Sequence, residues 1–291
     1  MIKIAFRILC AFSMTMCLNA IQEGSATGST QHSIKAIIFD FDGVLVDNGI
    51  GYYLDWHWTL QQQGYELTPE QFWSFMNMHE LVGAPGADNI IVQFCCKLLG
   101  RDCTYELLRD KNTFSLALHA KGFPPIESTV SFLKQLAQDR DHYGFKLGLA
   151  SANTRENISA NLHRLGIEKC FDVIVSGSDD LVEYVDPEGK NKPKPYIYLH
   201  AAKLLTINPK ECVAIEDSKT GISSAVAAGY KVVAIPNVYT IQQDLSQAHV
   251  RIKSFAGIST DTFLQMIANV GLSKYQSRCL VTKDGSTFYY Q

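Results

Sequence analysis

Metal-ligating cysteine patterns are missing from this chain. Its eight cysteines include no Cys-x-x-Cys pair and no cysteine–histidine spacing, so no zinc or iron–sulfur module of that kind is encoded. Cys10 and Cys17 lie near the start, and no pairing is indicated among Cys95, Cys96, Cys103, Cys170, Cys212 and Cys279. Runs of basic residues are also missing, and the formal net charge is −3, which gives no basis for nucleic-acid binding. No internal repeat occurs. No apolar run is long enough for a stable membrane anchor, the one near the N-terminus covering only residues 8–18.

What is present is the composition of an ordinary globular protein, 46% hydrophobic and 19% charged over 291 residues, enough for one large domain or two smaller ones. Residues 1–20 stand apart. Lys3 and Arg7 precede the apolar stretch, and Ala20 offers a small residue for cleavage, the layout of a secretory signal peptide. Residues 21–33 follow as a polar, Gly/Ser/Thr-rich flexible tether. The expectation is an exported protein, and a cytoplasmic one if the leader is retained.

Residues 34–39 are apolar apart from Lys35 and read as a buried strand of a parallel sheet. The strand ends in Asp40-Phe41-Asp42-Gly43. On an extended backbone, residues two apart point the same way, so Asp40 and Asp42 can face one ligand, and Gly43 permits a turn with positive φ. Carboxylates at the end of a core strand are costly unless donors or a cation meet them.

Residues 49–120 contain helical faces and no convincing strand. Tyr53, Trp56 and Leu60 form one face, Phe72, Trp73, Phe75 and Met76 a cluster, and Ile90, Ile91, Phe94 and Leu98 another face. Three or four helices without a sheet predict an inserted lid. Its aromatic stripes read as lid core, and His57 and His79 as packing or surface residues. The loop from Leu81 to Asp88, with Pro85 between glycines, is either a helix connector or a place for substrate selection. From Phe123 the pattern alternates strand and helix: strands at 145–150, 173–175, 213–215 and 232–235, with a weaker one near 250–252. This predicts an α/β fold, a doubly wound parallel Rossmann-like sheet interrupted by an α-helical cap. The expected division is a core of 34–48 and 121–258, a cap of 49–120 and a C-terminal extension of 259–291.

Polar groups recur at one topological position, the carboxyl end of a strand: Asp40 and Asp42, Ser151, and Glu216 with Asp217. Lys192 lies in the loop Lys192-Pro193-Lys194-Pro195 just before a helix. Ligands of open α/β sheets bind at this edge. Four clustered carboxylates would repel one another in a low dielectric, so a divalent cation is the natural compensation. Ligands that are all oxygen suit Mg²⁺, which commonly partners phosphate, and a hydroxyl and a lysine supply donors for phosphoryl oxygens.

Phe39-Asp40-Phe41-Asp42-Gly43-Val44-Leu45, the Ser151-Ala152-Asn153-Thr154 segment, Lys192-Pro193-Lys194-Pro195 and Glu216-Asp217-Ser218-Lys219-Thr220-Gly221-Ile222 resemble, in order, the four motifs of the haloacid dehalogenase-like hydrolase superfamily. The resemblance covers roughly 34–255 and is nearest to the branch of β-phosphoglucomutase and phosphoglycolate phosphatase. Phe171-Asp172 and the 225–230 segment also fit, whereas Lys190-Asn191-Lys192 and Tyr196 depart from the usual residues. The resemblance implies that Asp40 is the nucleophile and Asp42 the general acid and base. It implies that Asp40, the Asp42 backbone carbonyl and Asp217 hold Mg²⁺, that Glu216 orients metal-bound water or Lys192, and that Ser151, Ala152 and Lys192 bind the phosphoryl oxygens. The expected activity is a phosphatase acting on a small phosphorylated substrate. A sugar phosphomutase is the first alternative, disfavoured because 49–100 contains one lysine, Lys97, and no arginine. A non-catalytic binding protein is the second. For the leader, N-terminal sequencing of the exported protein should begin near residue 21; a start at Met1 contradicts cleavage.

Overall fold

The structure, a computed structural model, describes residues 34–82 and 86–270, with the backbone of two further segments, 278–281 and 287–290. The expected leader and tether, residues 83–85 of the loop at 81–88, and residues 271–277, 282–286 and 291 of the C-terminal extension lie outside the described residues. Among those described, no helix is long and apolar enough to cross a membrane.

Six strands make one sheet in which every pairing is parallel. They are β1 (Ala36–Phe39), β2 (Lys146–Ser151), β3 (Val173–Ser176), β4 (Cys212–Glu216), β5 (Lys231–Ala234) and β6 (Val250–Arg251). Their order across the sheet is β3-β2-β1-β4-β5-β6. The sequence reverses direction about β1, so β1 is central and its two neighbours leave a crevice at its carboxyl end.

Alternation along the strands feeds two cores. Ile37 and Phe39 of β1, Leu147 and Leu149 of β2, and Val213 and Ile215 of β4 face one side. There they meet α5 (Glu127–Tyr143), α6 (Arg155–Leu165) and α9 (Thr260–Ala268) through Leu133, Leu162 and Phe263. Ala36, Ile38 and Ala214 face the other side, against α7 (Tyr196–Leu205) and α8 (Lys219–Ala227) through Ile197, Ala201 and Ala225. Burial on both faces explains why the strands read as continuous apolar runs. The doubly wound α/β fold is the one expected.

Between β1 and α5 the chain forms α1 (Gly49–Gln61), α2 (Pro69–Met78), α3 (Ala87–Leu99) and α4 (Thr104–His119). They share a third core that includes Trp56, Leu60, Phe72, Met76, Ile91, Cys95 and Leu107. Thr68 starts α2 with a capping box, its side chain accepting from the Gln71 amide while Gln71 returns a bond to the Thr68 amide. Of the expected α3 face, Ile91 is buried and Phe94 and Leu98 pack against this core, but Ile90 is 46% exposed, and Val92 and Cys95 are buried instead. Two short antiparallel strands, β7 (Arg278–Val281) and β8 (Thr287–Tyr290), lie in the tail where the sequence carried no clear pattern. The cysteines at 95, 96, 103, 170 and 212 are free, and the Cys103 thiol donates to the Cys96 sulfur at 3.1 Å.

Candidate active site

The register of the sheet sets the site. Phe39 pairs with Leu149 on one side and Ile215 on the other, so the residues that follow, Asp40, Ala150 and Ser151, and Glu216, emerge together. The Asp40 amide still donates to the Ile215 carbonyl at 2.9 Å, which fixes Asp40 as the last residue held by the ladder. Gly43 then turns the chain with φ +77°. Any side chain there would meet the Asp217 carboxylate.

Lys192 reaches this edge from the loop before α7. Its ammonium donates to Asp40 Oδ1 at 2.6 Å, to Glu216 Oε1 at 2.6 Å and to the Ala150 carbonyl at 3.1 Å. It also lies 5.2 Å from the centre of the Tyr198 ring, whose hydroxyl donates to Glu216 Oε1 at 2.5 Å. The second Glu216 oxygen accepts from the Asp217 amide at 3.3 Å. Asp217 Oδ2 accepts from the Asn237 amide group at 2.8 Å, and Asn237 also reaches the Gly43 carbonyl. Asp42 is held separately. Its Oδ1 accepts from Asn48 at 2.9 Å, and its Oδ2 from Asn153 at 2.8 Å and from the Ser151 hydroxyl at 3.4 Å.

Three carboxylates, Asp40, Glu216 and Asp217, thus place ligand atoms within 4.8 Å of one another, all buried. One ammonium does not balance them. Burial, then repulsion from Glu216, pushes Asp40 up to about 8 against the pull of Lys192. Burial, then Asp40 and Glu216, holds Asp217 well above the usual carboxylate range. Burial raises Asp42 to about 6, opposed by Lys192 and by the bonds from Asn153 and Ser151. Burial works against the Lys192 ammonium, but Asp40 and Glu216 more than compensate and its pKa is raised. The surplus negative charge and the all-oxygen donor set fit a hard divalent cation. Lys192 engages Asp40 through Oδ1 and Asn237 engages Asp217 through Oδ2, leaving the other oxygen of each for a ligand. Glu216 has both oxygens bonded already and fits such a role less well.

A cavity of about 320 Å³ opens onto these groups. Asp40, Asp42, Ala152, Lys192 and Asp217 line it, together with Tyr52 of α1, Trp73 of α2, Val82 and Tyr239. Ser151 is fully buried and does not line the cavity; its hydroxyl accepts from the Asn153 amide and turns toward Asp42. Leu81, Val82 and Ala87 bring parts of the expected selection loop to the wall, while Asp88 accepts from the Tyr52 hydroxyl and from Lys111. His57 is occupied with Tyr53 and the Leu67 carbonyl, and His79 packs on Phe75.

Sequence reasoning missed Asn48, Asn153, Asn237 and Tyr198. Asn153 sits two residues after Ser151 and Asn237 three after the last residue of β5, so the sheet-edge rule that found the carboxylates would have reached both. Asn48 follows the acidic turn and had a similar positional clue. Tyr198, inside α7, had none.

The description Haloacid dehalogenase-like hydrolase belongs to the family profile that matches residues 37–235. β-Phosphoglucomutase of Bacillus subtilis is 30% identical over 210 residues, covering 69% of this chain and 83% of that protein. The phosphorylated carbohydrates phosphatase of Thermotoga maritima is 28% identical over 228 residues, covering 77% and 92%. A solved structure of CbbY from Rhodobacter sphaeroides in complex with xylulose-(1,5)bisphosphate superposes with a TM-score of 0.58 at 23% identity, covering 79% of this chain and 98% of that one. This last likeness is one of fold.

Two predictions follow from the packing and charge of the site. A Cβ on Gly221 would lie 2.0 Å from Glu216 Oε2, so Gly221→Ala must displace the carboxylate that holds Lys192. Chemical denaturation should show a loss of about 1–3 kcal/mol; an unchanged midpoint contradicts the contact. Asp42 prefers its proton in the fold, so its contribution relative to Asp42→Asn is greatest below pH 3.8 and is lost as pH rises through about 6. Without Mg²⁺, the stability difference between wild type and this variant should shift by on the order of 2 kcal/mol against the wild type across that window. A difference that does not vary with pH contradicts the buried setting of Asp42.

Proposed function

Because the chain belongs to the haloacid dehalogenase-like hydrolases, we propose that it is a Mg²⁺-dependent phosphatase that hydrolyses a small phosphorylated metabolite through an aspartyl-phosphate on Asp40. The observation that supports this most is the meeting of Asp40, Asp42, Lys192 and Asp217 on a single cavity.

Asp40 attacks phosphorus in line; the new O–P bond forms as the ester P–O bond breaks. Asp42 gives its proton to the departing alcohol oxygen. It then takes a proton from the water that attacks the aspartyl-phosphate, releasing inorganic phosphate and restoring both carboxyl groups. A pKa raised to about 6 lets Asp42 serve in both protonation states near neutral pH. Asn48, Asn153 and Ser151 fix the orientation of that carboxyl group. Lys192, with the backbone around Ala152, binds phosphoryl oxygens and offsets the charge beside Asp40. Asp40, Asp217 and the Asp42 backbone carbonyl would hold Mg²⁺, which supplies positive charge against the phosphoryl oxygens. Glu216 keeps Lys192 in place, which agrees with its two engaged oxygens.

Phosphate release from a panel of monoesters, with and without Mg²⁺, tests the reading. Release should require Mg²⁺, should fall about 10³-fold or more in Asp40→Asn, and should fall about 10²-fold or more in Asp42→Asn, with circular dichroism unchanged. Full activity in Asp40→Asn removes that residue from its role. Interconversion of sugar phosphates without release supports a phosphomutase, and a folded protein inert toward every ester supports a non-catalytic one.

A further inference from the structure

The carboxylates and Lys192 on the cavity are accounted for by phosphoryl chemistry; the rings that line it are not. This part of the wall is built from rings and a short aliphatic chain. Trp73 of α2 lies against Tyr239, with ring centres 4.3 Å apart and planes tilted by 32°. The Tyr52 ring packs its edge on Phe72, with centres 6.1 Å apart. Val82 completes the wall, its carbonyl accepting from Gln243 at 3.0 Å. The Glu80–Lys219 ion pair at 2.7 Å ties the end of α2 to the start of α8 just beside it.

Several of the polar atoms on this cavity are already engaged. The Tyr52 hydroxyl donates to Asp88 at 3.0 Å, Asn48 donates to Asp42, and Asn237 donates to Asp217. The cations of the surrounding helices are engaged as well. Lys111 is bound to Asp88 at 2.7 Å, Arg101 to Glu106 at 2.9 Å and Arg109 to Asp110 at 2.7 Å, and Lys97 stands exposed on α3. Among the described residues, none of these four lines the cavity. A second phosphate placed against these rings would lose its hydration without meeting any of these four cations. A ring or aliphatic chain would instead gain buried apolar contact and aromatic packing. At about 320 Å³, the space is at the small end for a ligand site and suits one ring beside the phosphate.

We propose that Tyr52, Trp73, Val82 and Tyr239 form a subsite for an uncharged aromatic or aliphatic alcohol group, so that the substrate carries a single phosphate on an apolar leaving group. This rests on the phosphatase reading for its chemistry. It separates the chain in specificity from relatives whose names indicate carbohydrate or bisphosphate ligands.

The test compares phenyl phosphate, ribose 5-phosphate and fructose 1,6-bisphosphate, all with Mg²⁺. Two readouts are taken: kcat/KM with the wild-type protein, and Kd by calorimetry with Asp40→Asn, which does not depend on turnover. Phenyl phosphate should be preferred over both others by about 10-fold or more in each. Trp73→Ala should erase that preference mainly through KM and Kd, whereas Trp73→Phe should keep it, with circular dichroism confirming that both variants fold. Turnover or binding with a smaller or reversed preference overturns the subsite and leaves the phosphatase standing. Selective binding of phenyl phosphate without turnover of any ester supports the subsite and overturns the phosphatase.

Discussion

A buried ammonium held between two carboxylates is the contact on which the site depends. Lys192 bridges Asp40 and Glu216, residues 152 and 24 positions away in sequence, and so pins a loop to the ends of two adjacent strands. Burying charges is expensive, and removing one member of such a group leaves the others uncompensated. The Ala150 carbonyl and the Tyr198 hydroxyl complete the bonding of the triad, which is why a tyrosine lies fully buried in the first turn of α7. The triad still leaves Asp217 and part of the charge of Asp40 unmatched. Burial, reinforced by that imbalance, raises both carboxyl groups, and the imbalance is the electrostatic reason a divalent cation would bind between them.

The sheet could be read in the sequence because both its faces are covered. Strands buried on two sides become apolar runs, and each run read as a strand, at 34–39, 145–150, 173–175, 213–215 and 232–235, overlaps a strand of the structure. The reading weakened where burial is one-sided or partial. Ile90 was placed on the buried face of α3 because Ile90 and Ile91 are equally apolar and only packing distinguishes them. The carboxylates, Ser151 and Lys192 were legible from topology, since each sits at or beside a strand end on the same edge. The asparagines that hold Asp42 and Asp217 sit at positions the same edge rule reaches, but amide side chains abound in loops and only the fold shows which carboxylate each one meets. Tyr198 was hidden more deeply, since a tyrosine in a helix ordinarily signals packing alone.

The cavity joins two kinds of construction. Its reactive end belongs to the sheet, where backbone register places groups with little freedom. Its rings belong to α1, α2 and the segment after β5, where ring packing and one exposed ion pair set the wall. Exposed ion pairs contribute little to stability, so this wall is held mainly by apolar contact. In the proposed phosphatase, register governs what reaction is possible and side-chain packing governs which alcohol is admitted.

The central claim is that the Lys192 triad presents Asp40 to phosphorus. Acid quenching during turnover, borohydride reduction of the acyl phosphate and peptide mass mapping would locate the covalent intermediate. The account predicts a reduced residue at position 40 and at no other carboxylate. Steady phosphate release without modification of Asp40, or with modification of Asp42 or Asp217 instead, would contradict it.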